Sequence, residues 1–324
     1  MVRLKDNPTV SVIIPTYNRA AFLRRSIESI LSQTYRDFEL IVVDDASTDN
    51  TEEVVRSFND EKIRYIRHKQ NSGTSAAPHN TGLKAARGEY IAHQDDDSEW
   101  LPQKLDKEMN AFEKASPRVG VVYTAMWLII DNKRTYFHSP HMIDIMHKEK
   151  NIHKAILQRC FVGNQSTLTK KECFDRVGVF DEKLPGCEDW DLWIRVSKYY
   201  DFRFIDEPLV TANYSPGASH YSQSAHARGM ILVLEKYFQE FKEHDKRLLA
   251  ERYFNSGAAL CINEDTTQFT EGRRSLQKAA KICPLNLEYI LASLTSLSGP
   301  ALFHNRPLHK LLKLYWRFRK SFLE

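Results

Sequence analysis

The 324-residue sequence contains no apolar run long enough to cross a bilayer. Residues 1–6 open no apolar segment, so we expect no signal peptide. The five cysteines are scattered, and no two have the close spacing typical of a zinc site. These absences favour free thiols in a reducing compartment, and we predict a cytoplasmic protein.

Glycine-rich phosphate loops are also missing. The turn at residues 15–19 lacks the G-x-G-x-x-G pattern that brings a backbone against a pyrophosphate. This disfavours a dinucleotide-dependent oxidoreductase, and the absence of a lysine- and glycine-rich loop there disfavours a nucleotidyltransferase. The net charge of +4 fits an anionic substrate or a membrane surface without choosing between them. We expect no nucleic-acid partner.

Short β-branched apolar segments alternate with helical segments along the first two thirds of the chain. Clear predicted strands are residues 10–14, 38–43, 63–66 and 90–93, and two more are expected at 119–123 and 127–130. This alternation is typical of βαβ units in a mostly parallel α/β sheet. After about Ser222 the pattern is purely helical, with the first helix expected over residues 230–241. We predict a catalytic domain over residues 1–222 and a helical C-terminal domain or extension over residues 223–324.

Polar residues follow three of the predicted strands at the point where each strand ends. They are Pro15, Thr16 and Tyr17 after the first strand, Asp44 and Asp45 after the second, and Asp95, Asp96 and Asp97 after the fourth. Ligands of open parallel sheets bind beyond the carboxyl ends of the strands. We therefore expect all three groups at one rim of the sheet.

The three consecutive aspartates need a positive charge nearby, because adjacent carboxylates repel one another. Oxygen ligands suit Mg²⁺ or Mn²⁺, and Asp95 and Asp97 can serve one such ion. A solvated acidic turn is the alternative, but the position at the end of an apolar strand favours the metal. Asp45 is a candidate to accept hydrogen bonds from a nucleotide base or ribose. Alternatively, Asp44 and Asp45 cap the next helix, and the two roles can coexist.

A second acidic group, Glu188-Asp189-Trp190-Asp191, begins a predicted helix. Acids in a first helical turn are favoured by the helix dipole, which explains one or two of them. The small residues Gly186 and Cys187 precede the group and would let a substrate approach. A carboxylate at such a position is a candidate general base.

Six segments occur in a fixed order along the chain. They are VSVIIPTYNR at 10–19, ELIVVDDASTDNT at 39–51, the segment 71–91, QDDDSEWLP at 94–102, GVFDE at 178–182 and EDWDLWIR at 188–195. Together they resemble the family 2 inverting glycosyltransferases with the GT-A fold, over roughly residues 8–215. The resemblance implies a GT-A nucleotide-diphospho-sugar transferase fold with a C-terminal helical extension. It also implies a nucleoside diphosphate sugar donor, expected to be a UDP-sugar, and a Mn or Mg cofactor.

The resemblance assigns roles position by position. Those around the nucleotide and its sugar are Pro15, Thr16, Tyr17, Asp45, Asp95 and Asp96. Asp97 matches the metal ligand and Asp189 the catalytic base, with Glu188 and Trp190 on the acceptor side. In this mechanism Asp189 takes the proton of the acceptor hydroxyl, and one displacement inverts the anomeric configuration.

Two positions depart from the family pattern. The arginine that often precedes the asparagine of the third segment is replaced by His79 before Asn80. His79 either takes over a contact with the diphosphate, or that contact is lost. In place of a Tyr-Arg-x-His pattern, the chain has a segment ending in His220, which belongs either to the site or to the surface.

Residues 308–323 carry five basic residues and an aromatic–aliphatic face. Such a helix can lie on the inner face of a membrane, pack on the catalytic domain or form a homodimer. The overall prediction is a glycosyltransferase of polysaccharide or glycolipid synthesis with a carbohydrate or lipid-linked acceptor. The alternative is a non-catalytic sugar-nucleotide-binding protein with a decayed site, which the acidic metal and base positions disfavour.

Overall fold

The computed structural model describes residues 7–130, 133–137, 152–214, 223–262, 265–297 and 299. The strands are β1 Val10–Thr16, β2 Phe38–Asp44, β3 Ile63–Arg67, β4 Tyr90–His93, β5 Ser98–Trp100, β6 Val119–Ile130, β7 Lys133–Tyr136, β8 Thr167–Lys170 and β9 Asp201–Tyr214. The helices are α1 Ala20–Leu31, α2 Thr51–Arg56, α3 Ala76–Ala85, α4 Lys104–Glu113, α5 Ile152–Gln158, α6 Lys171–Val177, α7 Glu188–Val196, α8 Gln223–Lys236, α9 Phe238–His244, α10 Lys246–Ile262, α11 Thr266–Ile282 and α12 Leu287–Ser296. A 3₁₀ turn, Asn164–Ser166, precedes β8.

The strands form one mixed sheet in the order β3-β2-β1-β4-β8-β6-β9-β5, with β7 paired to β6. The half containing β3, β2, β1 and β4 is parallel. Strand β8 is antiparallel to both β4 and β6, and β9 runs parallel to β6. The α/β sheet predicted from the sequence is confirmed.

The apolar character of β1 and β2 reflects their place in the middle of the parallel half, where both faces of the sheet are covered. Helix α1 packs on this core through Leu23, Ile27 and Ile30, which share one face of the helix and are fully buried. Fixing α1 also fixes the loop between β1 and α1, which carries several of the predicted site residues.

Some predicted elements differ from the structure. The two strands expected at 119–123 and 127–130 are the single strand β6. Strands β5 and β9 were not predicted, because β5 is only three residues long and β9 includes the polar segment DEP. The helix expected over 230–241 is divided between α8 and α9. The predicted helix 308–323 and His220 lie outside the described residues.

The described chain divides into two compact units. One contains residues 7–183 and 188–214, and the other contains 184–187 and the residues from 223 onward. In the helical unit α10 and α11 approach closely at Gly257 and Gly272. A Cβ on Gly272 would lie 2.6 Å from the Gly257 carbonyl oxygen, so this crossing requires glycine. No helix among the described residues is long and apolar enough to span a membrane.

Candidate active site

Three loops lie side by side at the carboxyl edge of β1, β2 and β4. They are residues 15–19 after β1, 45–50 after β2 and 94–97 after β4. The Asp45 N–H donates to the Thr16 carbonyl at 2.9 Å, and the Gln94 N–H donates to the Ile13 carbonyl at 2.9 Å. The parallel pairing of the strands therefore continues into the loops and aligns their polar residues.

The first two loops are joined through Asn18. Its N–H donates to Ser47 Oγ at 2.8 Å, and its Oδ1 accepts the Thr48 N–H at 2.7 Å. Asn18 has a φ of 53°, a left-handed conformation that asparagine tolerates better than most residues. The neighbouring Pro15 and Tyr17, both predicted to contact the nucleotide, are partly exposed at this edge.

Asp49 performs the helix-capping role that was one alternative for Asp44 and Asp45. Its Oδ1 accepts the N–H of Thr51, the first residue of α2, at 3.1 Å. Its Oδ2 accepts the N–H of Ala20, the first residue of α1, at 3.1 Å. Asp44 is fully buried at the end of β2. The capping alternative for Asp44 and Asp45 is therefore wrong.

The Asp45 carboxylate organises the loop that follows β3. It accepts hydrogen bonds from Ser72 N–H at 3.0 Å, Ser72 Oγ at 2.8 Å and Asn71 Nδ2 at 3.0 Å. His68 Nδ1 lies 2.6 Å from its other oxygen. Asp45 is only 4% exposed, and these protein groups engage both of its carboxylate oxygens. The contact with a base or ribose stays a prediction.

Arg19 neutralises much of the acidic turn. Its Nε lies 2.8 Å from Asp96 Oδ1, and its Nη2 pairs with Asp97 Oδ2. Thr16 Oγ1 donates to the second oxygen of Asp96 at 2.8 Å. Both oxygens of the buried Asp96 are therefore engaged, and this carboxylate holds the turn against β1. Asp95 and Asp97 remain partly exposed.

Asp95 lies among negative charges. The pKa of its carboxyl is raised to about 8, mainly by withdrawal from water and then by Asp97, Asp96 and Asp189 in that order, against the opposing charge of Arg19. The contribution of Asp189 puts it within electrostatic range of Asp95, although 94 positions separate them in sequence. The acidic turn and the start of α7 therefore form one electrostatic site.

Asp189 lies in the first turn of α7 and is partly exposed. Burial raises the pKa of its carboxyl to about 7, and the neighbouring Glu188 raises it as well. The Trp190 N–H donates to Asp189 Oδ1 at 2.7 Å, and the Cys160 thiol lies 3.8 Å from Oδ2. A carboxylate with a pKa near neutrality can both accept and release a proton at physiological pH.

Glu188 is buried and accepts a hydrogen bond from Ser75 Oγ. Ser75 directly precedes α3 and lies three residues beyond Ser72, which binds Asp45. Loop 71–75 therefore links the Asp45 side of the site to the start of α7. The expected acceptor-side role of Glu188 stays a prediction, and this contact gives it a second role in fixing α7.

Two predicted site residues face the interior instead of the site. His79 is 3% exposed, with its Nδ1 3.0 Å from His93 Nδ1 and its ring stacked on Phe180. Burial lowers its pKa to about 4, so at neutral pH its ring offers no positive charge to a diphosphate. The Trp190 indole is buried, and its Nε1 donates to the Ile156 carbonyl at 2.6 Å. Its side chain packs in the core and does not line an acceptor site.

Gly186 and Cys187 do not form the open approach expected before α7. A Cβ on Gly229 would lie 2.1 Å from the Gly186 carbonyl oxygen, so the two backbones are in close contact. The Cys187 thiol lies 3.5 Å from His226 Nδ1. Both residues belong to the helical unit. The small side chains serve packing there.

Two other motif residues, Asn80 and Arg195, hold the segment before α7 in place. Asn80 Nδ2 donates to the Phe180 carbonyl at 2.9 Å, and its Oδ1 accepts the Phe180 N–H at 3.0 Å. Arg195 pairs with the buried Asp191 at 2.9 Å and donates to the carbonyls of residues 177–179. The GVFDE segment is thus fixed to both α3 and α7.

Among the residues with a part in the site that were not identified from the sequence are Arg19, Ser75 and Cys160. The need for a positive charge near the acidic turn was a usable signal for Arg19, which lies inside a quoted motif. Ser75 and Cys160 carry no local signal, because their partners are distant in sequence.

The donor set of the acidic turn fits a hard divalent cation. Within the described residues no group of three or more His, Cys, Asp or Glu is arranged to hold a metal. Magnesium and manganese, however, are often held by one or two carboxylates with phosphate and water completing the shell. Asp97 and Asp95 offer such oxygens, and the crowding of like charge around Asp95 would be relieved by a cation.

Comparison with known proteins gives a consistent result. The family model described as Glycosyl transferase family 2 matches residues 11–178. Curated relatives that are 31% identical match about three quarters of this chain, which spans 34–42% of their length. The chain is 27% identical over 250 residues to WfgD of Escherichia coli, with 77% of this chain and 91% of WfgD aligned. WfgD is named a UDP-Glc:α-D-GlcNAc-diphosphoundecaprenol β-1,3-glucosyltransferase.

Solved structures share the fold. TarS 1–349 of S. aureus, in complex with UDP-GlcNAc, superposes with a TM-score of 0.65 at 20% identity, covering 95% of this chain and 91% of TarS. The mannosyltransferase PcManGT of Pyrobaculum calidifontis, in complex with GDP-Man and Mn²⁺, gives 0.59 at 20% identity, covering 98% and 85%. At this identity the likeness shows the fold alone, and it confirms the predicted fold class.

Proposed function

The chain belongs to glycosyl transferase family 2, and from this premise we propose that it transfers a sugar from a nucleoside diphosphate sugar to an acceptor hydroxyl with inversion. The observation that carries the proposal is that loop 71–75 binds both Asp45, through Ser72, and Glu188, through Ser75. Glu188 directly precedes Asp189, so the loop links a candidate base to the proposed nucleotide side of the site, and Asp189 also lies within electrostatic range of Asp95. A single displacement needs such a base on the acceptor side of the anomeric carbon.

Asp189 is the proposed general base. Its pKa, raised to about 7, makes it a stronger base than an ordinary aspartate while leaving much of it ionised at neutral pH. The Trp190 N–H and the Cys160 thiol hold its two oxygens in place. The side chain takes the acceptor's proton as the hydroxyl attacks, and no covalent intermediate with the protein is required.

We propose a UDP-sugar as the donor. WfgD is named for UDP-Glc and TarS was solved with UDP-GlcNAc, whereas PcManGT was solved with GDP-Man. The proposed nucleotide edge consists of Pro15, Thr16 and Tyr17 with the Asp45-anchored loop 71–75. Asp95 is proposed to face the sugar of the donor.

A divalent cation, Mg²⁺ or Mn²⁺, is proposed to bind through Asp97. When bound, it supplies positive charge that stabilises the leaving diphosphate. Arg19 already pairs with Asp97 and lies close enough to contribute charge at the same place. The Arg19–Asp96 pair keeps the acidic turn against β1 whether or not Arg19 also contacts Asp97.

The proposed acceptor is a carbohydrate or a lipid-linked sugar in polysaccharide or glycolipid synthesis. WfgD, whose name specifies a diphosphoundecaprenol-linked acceptor, supports this class. A cytoplasmic location, peripheral at the inner face of the membrane, goes with this acceptor. The proposed division places catalysis in residues 1–222 and assigns residues 223–324 to a helical extension.

The deciding experiment measures nucleotide-sugar binding and turnover separately. Thermal unfolding is recorded with UDP- and GDP-sugars, with and without Mn²⁺ or Mg²⁺, for the wild type and Asp189→Asn. We expect metal-dependent stabilisation by one donor in both proteins, and slow hydrolysis or transfer only in the wild type. The Asp189→Asn variant should lose about a hundred- to ten-thousand-fold in kcat.

Two outcomes contradict the proposal. Failure of every nucleotide sugar to bind would exclude the donor class. If the wild type binds a nucleotide sugar but shows no hydrolysis and no transfer to any of the sugar acceptors tested, the result would instead favour a sugar-nucleotide-binding protein with a decayed site.

A further inference from the structure

Helix α12 is apolar on two opposite faces. Tyr289, Ala292 and Ser296 are buried against the helical unit. On the opposite side Leu287, Leu291 and Leu294 are 73%, 52% and 58% exposed. These three recur at the i, i+4, i+7 spacing of one helix face.

Two flanking leucines extend this surface. Leu285 before the helix is 94% exposed, and Leu297 after it is 55% exposed. We call these five residues, Leu285, Leu287, Leu291, Leu294 and Leu297, the leucine face. Isolated exposed leucines are normal, but a contiguous group on one helix marks an interaction surface. A helix that is apolar on both faces is normally covered on both.

The sequence adjoining the leucine face holds the excess positive charge of the chain. Residues 300–324 contain six Lys and Arg and one Glu, a net of +5. The whole chain carries +4, so residues 1–299 together carry 4 − 5 = −1. Helix α12 itself contains no Lys or Arg and only one acid, Glu288. An apolar face therefore adjoins a strongly basic segment.

We propose that the leucine face is a docking surface for an anionic lipid bilayer. Leucine side chains enter the boundary between headgroups and acyl chains, and the adjoining basic residues attract the anionic headgroups. An anionic bilayer binds surfaces that combine apolar area with clustered positive charge. The surface includes none of the candidate active-site residues, so its test is separate from that of sugar transfer.

The positive charge of residues 300–324 disfavours a second copy of the chain as the occupant of the leucine face. In a symmetric dimer through the leucine face, each copy would bring the same +5 segment and neither would supply an opposite charge to it. A bilayer with anionic lipids offsets the same charge. Helix α12 also offers a protein partner no charged group except Glu288 with which to fix its orientation.

The test is co-sedimentation of the full chain with vesicles of phosphatidylcholine, with and without phosphatidylglycerol. We expect binding to the anionic vesicles that is much weaker with phosphatidylcholine alone and is reduced by salt. The triple variant Leu287→Gln, Leu291→Gln and Leu294→Gln should bind at least tenfold more weakly, on the scale of the apolar area removed (roughly 25 cal/mol per Å²). Lys310→Gln with Lys313→Gln should also weaken binding, by about tenfold, and reduce its salt dependence.

Two single variants control for the general effect of replacing an exposed leucine by glutamine. Leu287→Gln should weaken vesicle binding, whereas Leu232→Gln, at an exposed leucine of α8, should not. The leucine variants should unfold within a few degrees of the wild type, because the substituted leucine side chains are exposed.

Three results would overturn the proposal. One is vesicle binding that the triple variant leaves unchanged. Another is a wild-type dimer that the triple variant converts to a monomer without any binding to vesicles, which would mean that a second copy covers the leucine face. The third is a large loss of thermal stability in the triple variant with vesicle binding intact, which would mean that the chain itself covers the face.

Discussion

The Nε of Arg19 lies 2.8 Å from Oδ1 of Asp96, and the same guanidinium reaches Asp97 in the next position. Arg19 and Asp96 are both largely buried, so each depends on the other for neutralisation. This single side chain joins the end of β1 to the acidic turn after β4. It also lies against the carboxylate proposed to bind a cation.

Replacing Arg19 by Met should destabilise the protein by about 3–5 kcal/mol, because a buried carboxylate loses its partner. Mg²⁺ or Mn²⁺ should restore part of this loss, since a cation at Asp97 replaces the missing charge. Chemical unfolding with and without the cation measures both effects. Arg25→Met, which removes an exposed pair with Glu99, should change stability by less than about 1 kcal/mol. Equal effects of the two substitutions would show that the Arg19 pairs do not support the fold.

The sequence predicted the parallel half of the sheet well, because its strands are short, apolar and buried on both faces. It also indicated that the acidic turn needs a positive charge. That need was a signal for Arg19, but it did not distinguish Arg19 from the other basic residues, since the direction of a side chain after a strand depends on tertiary packing. The direction of the His79 side chain could not be predicted from the sequence either. Its place in a motif suggested a ligand contact, whereas the fold buries it against Phe180.

The dependence of kcat/KM on pH should report Asp189. Its pKa is raised to about 7, and a general base must be deprotonated, so kcat/KM should fall as the pH drops below about 7. Glu188→Gln removes a negative neighbour that raises this pKa and should move the acid limb to lower pH. Cys160→Ala removes a hydrogen bond that lowers the pKa of Asp189, so this variant should move the acid limb to higher pH.

The opposite signs of these two shifts distinguish a local electrostatic effect from general damage. A profile that is flat from about pH 5 to 8 in the wild type would contradict Asp189 as the titrating base. Shifts of the same sign in Glu188→Gln and Cys160→Ala would show that their effects are indirect.

Asp45 is predicted to act on the donor through loop 71–75. Asp45→Ala leaves the donors of Ser72 and Asn71 without their partner and should cost about 1–3 kcal/mol of stability, with a raised KM for the donor. Ser72→Ala removes the hydroxyl contact alone and should cause a smaller change of the same kind. In the double variant the effects on KM should be less than additive, because both substitutions loosen the same loop.

A direct contact between Asp45 and the ribose gives a different result. In that case Asp45→Ala should raise the donor KM by the same factor in the Ser72→Ala background as in the wild type. Thr74, which also lies in the loop but does not bind Asp45, provides a control through Thr74→Ala, which should leave this coupling unchanged.

The buried histidine pair should make the protein less stable in acid. Burial lowers the pKa of His79 to about 4 and that of His93 further below its ordinary value. The unfolded chain therefore binds more protons than the folded one below about pH 6.5. The stability from keeping these rings neutral is complete above that pH and declines as the pH falls toward 4, by about 1.4 kcal/mol per pH unit for each ring.

Buried carboxyls with raised pKa values, such as Asp189, act in the opposite direction over part of this range, so the histidine effect is best seen as a difference between two proteins. The free energy of unfolding of His93→Leu is compared with that of the wild type by urea denaturation at several pH values. As the pH falls below about 6.5, the free energy of unfolding of His93→Leu should rise relative to that of the wild type, because the variant has one buried ring fewer to protonate on unfolding. A difference that stays constant over this range would mean that His93 takes up its proton in the folded protein as readily as in the unfolded chain.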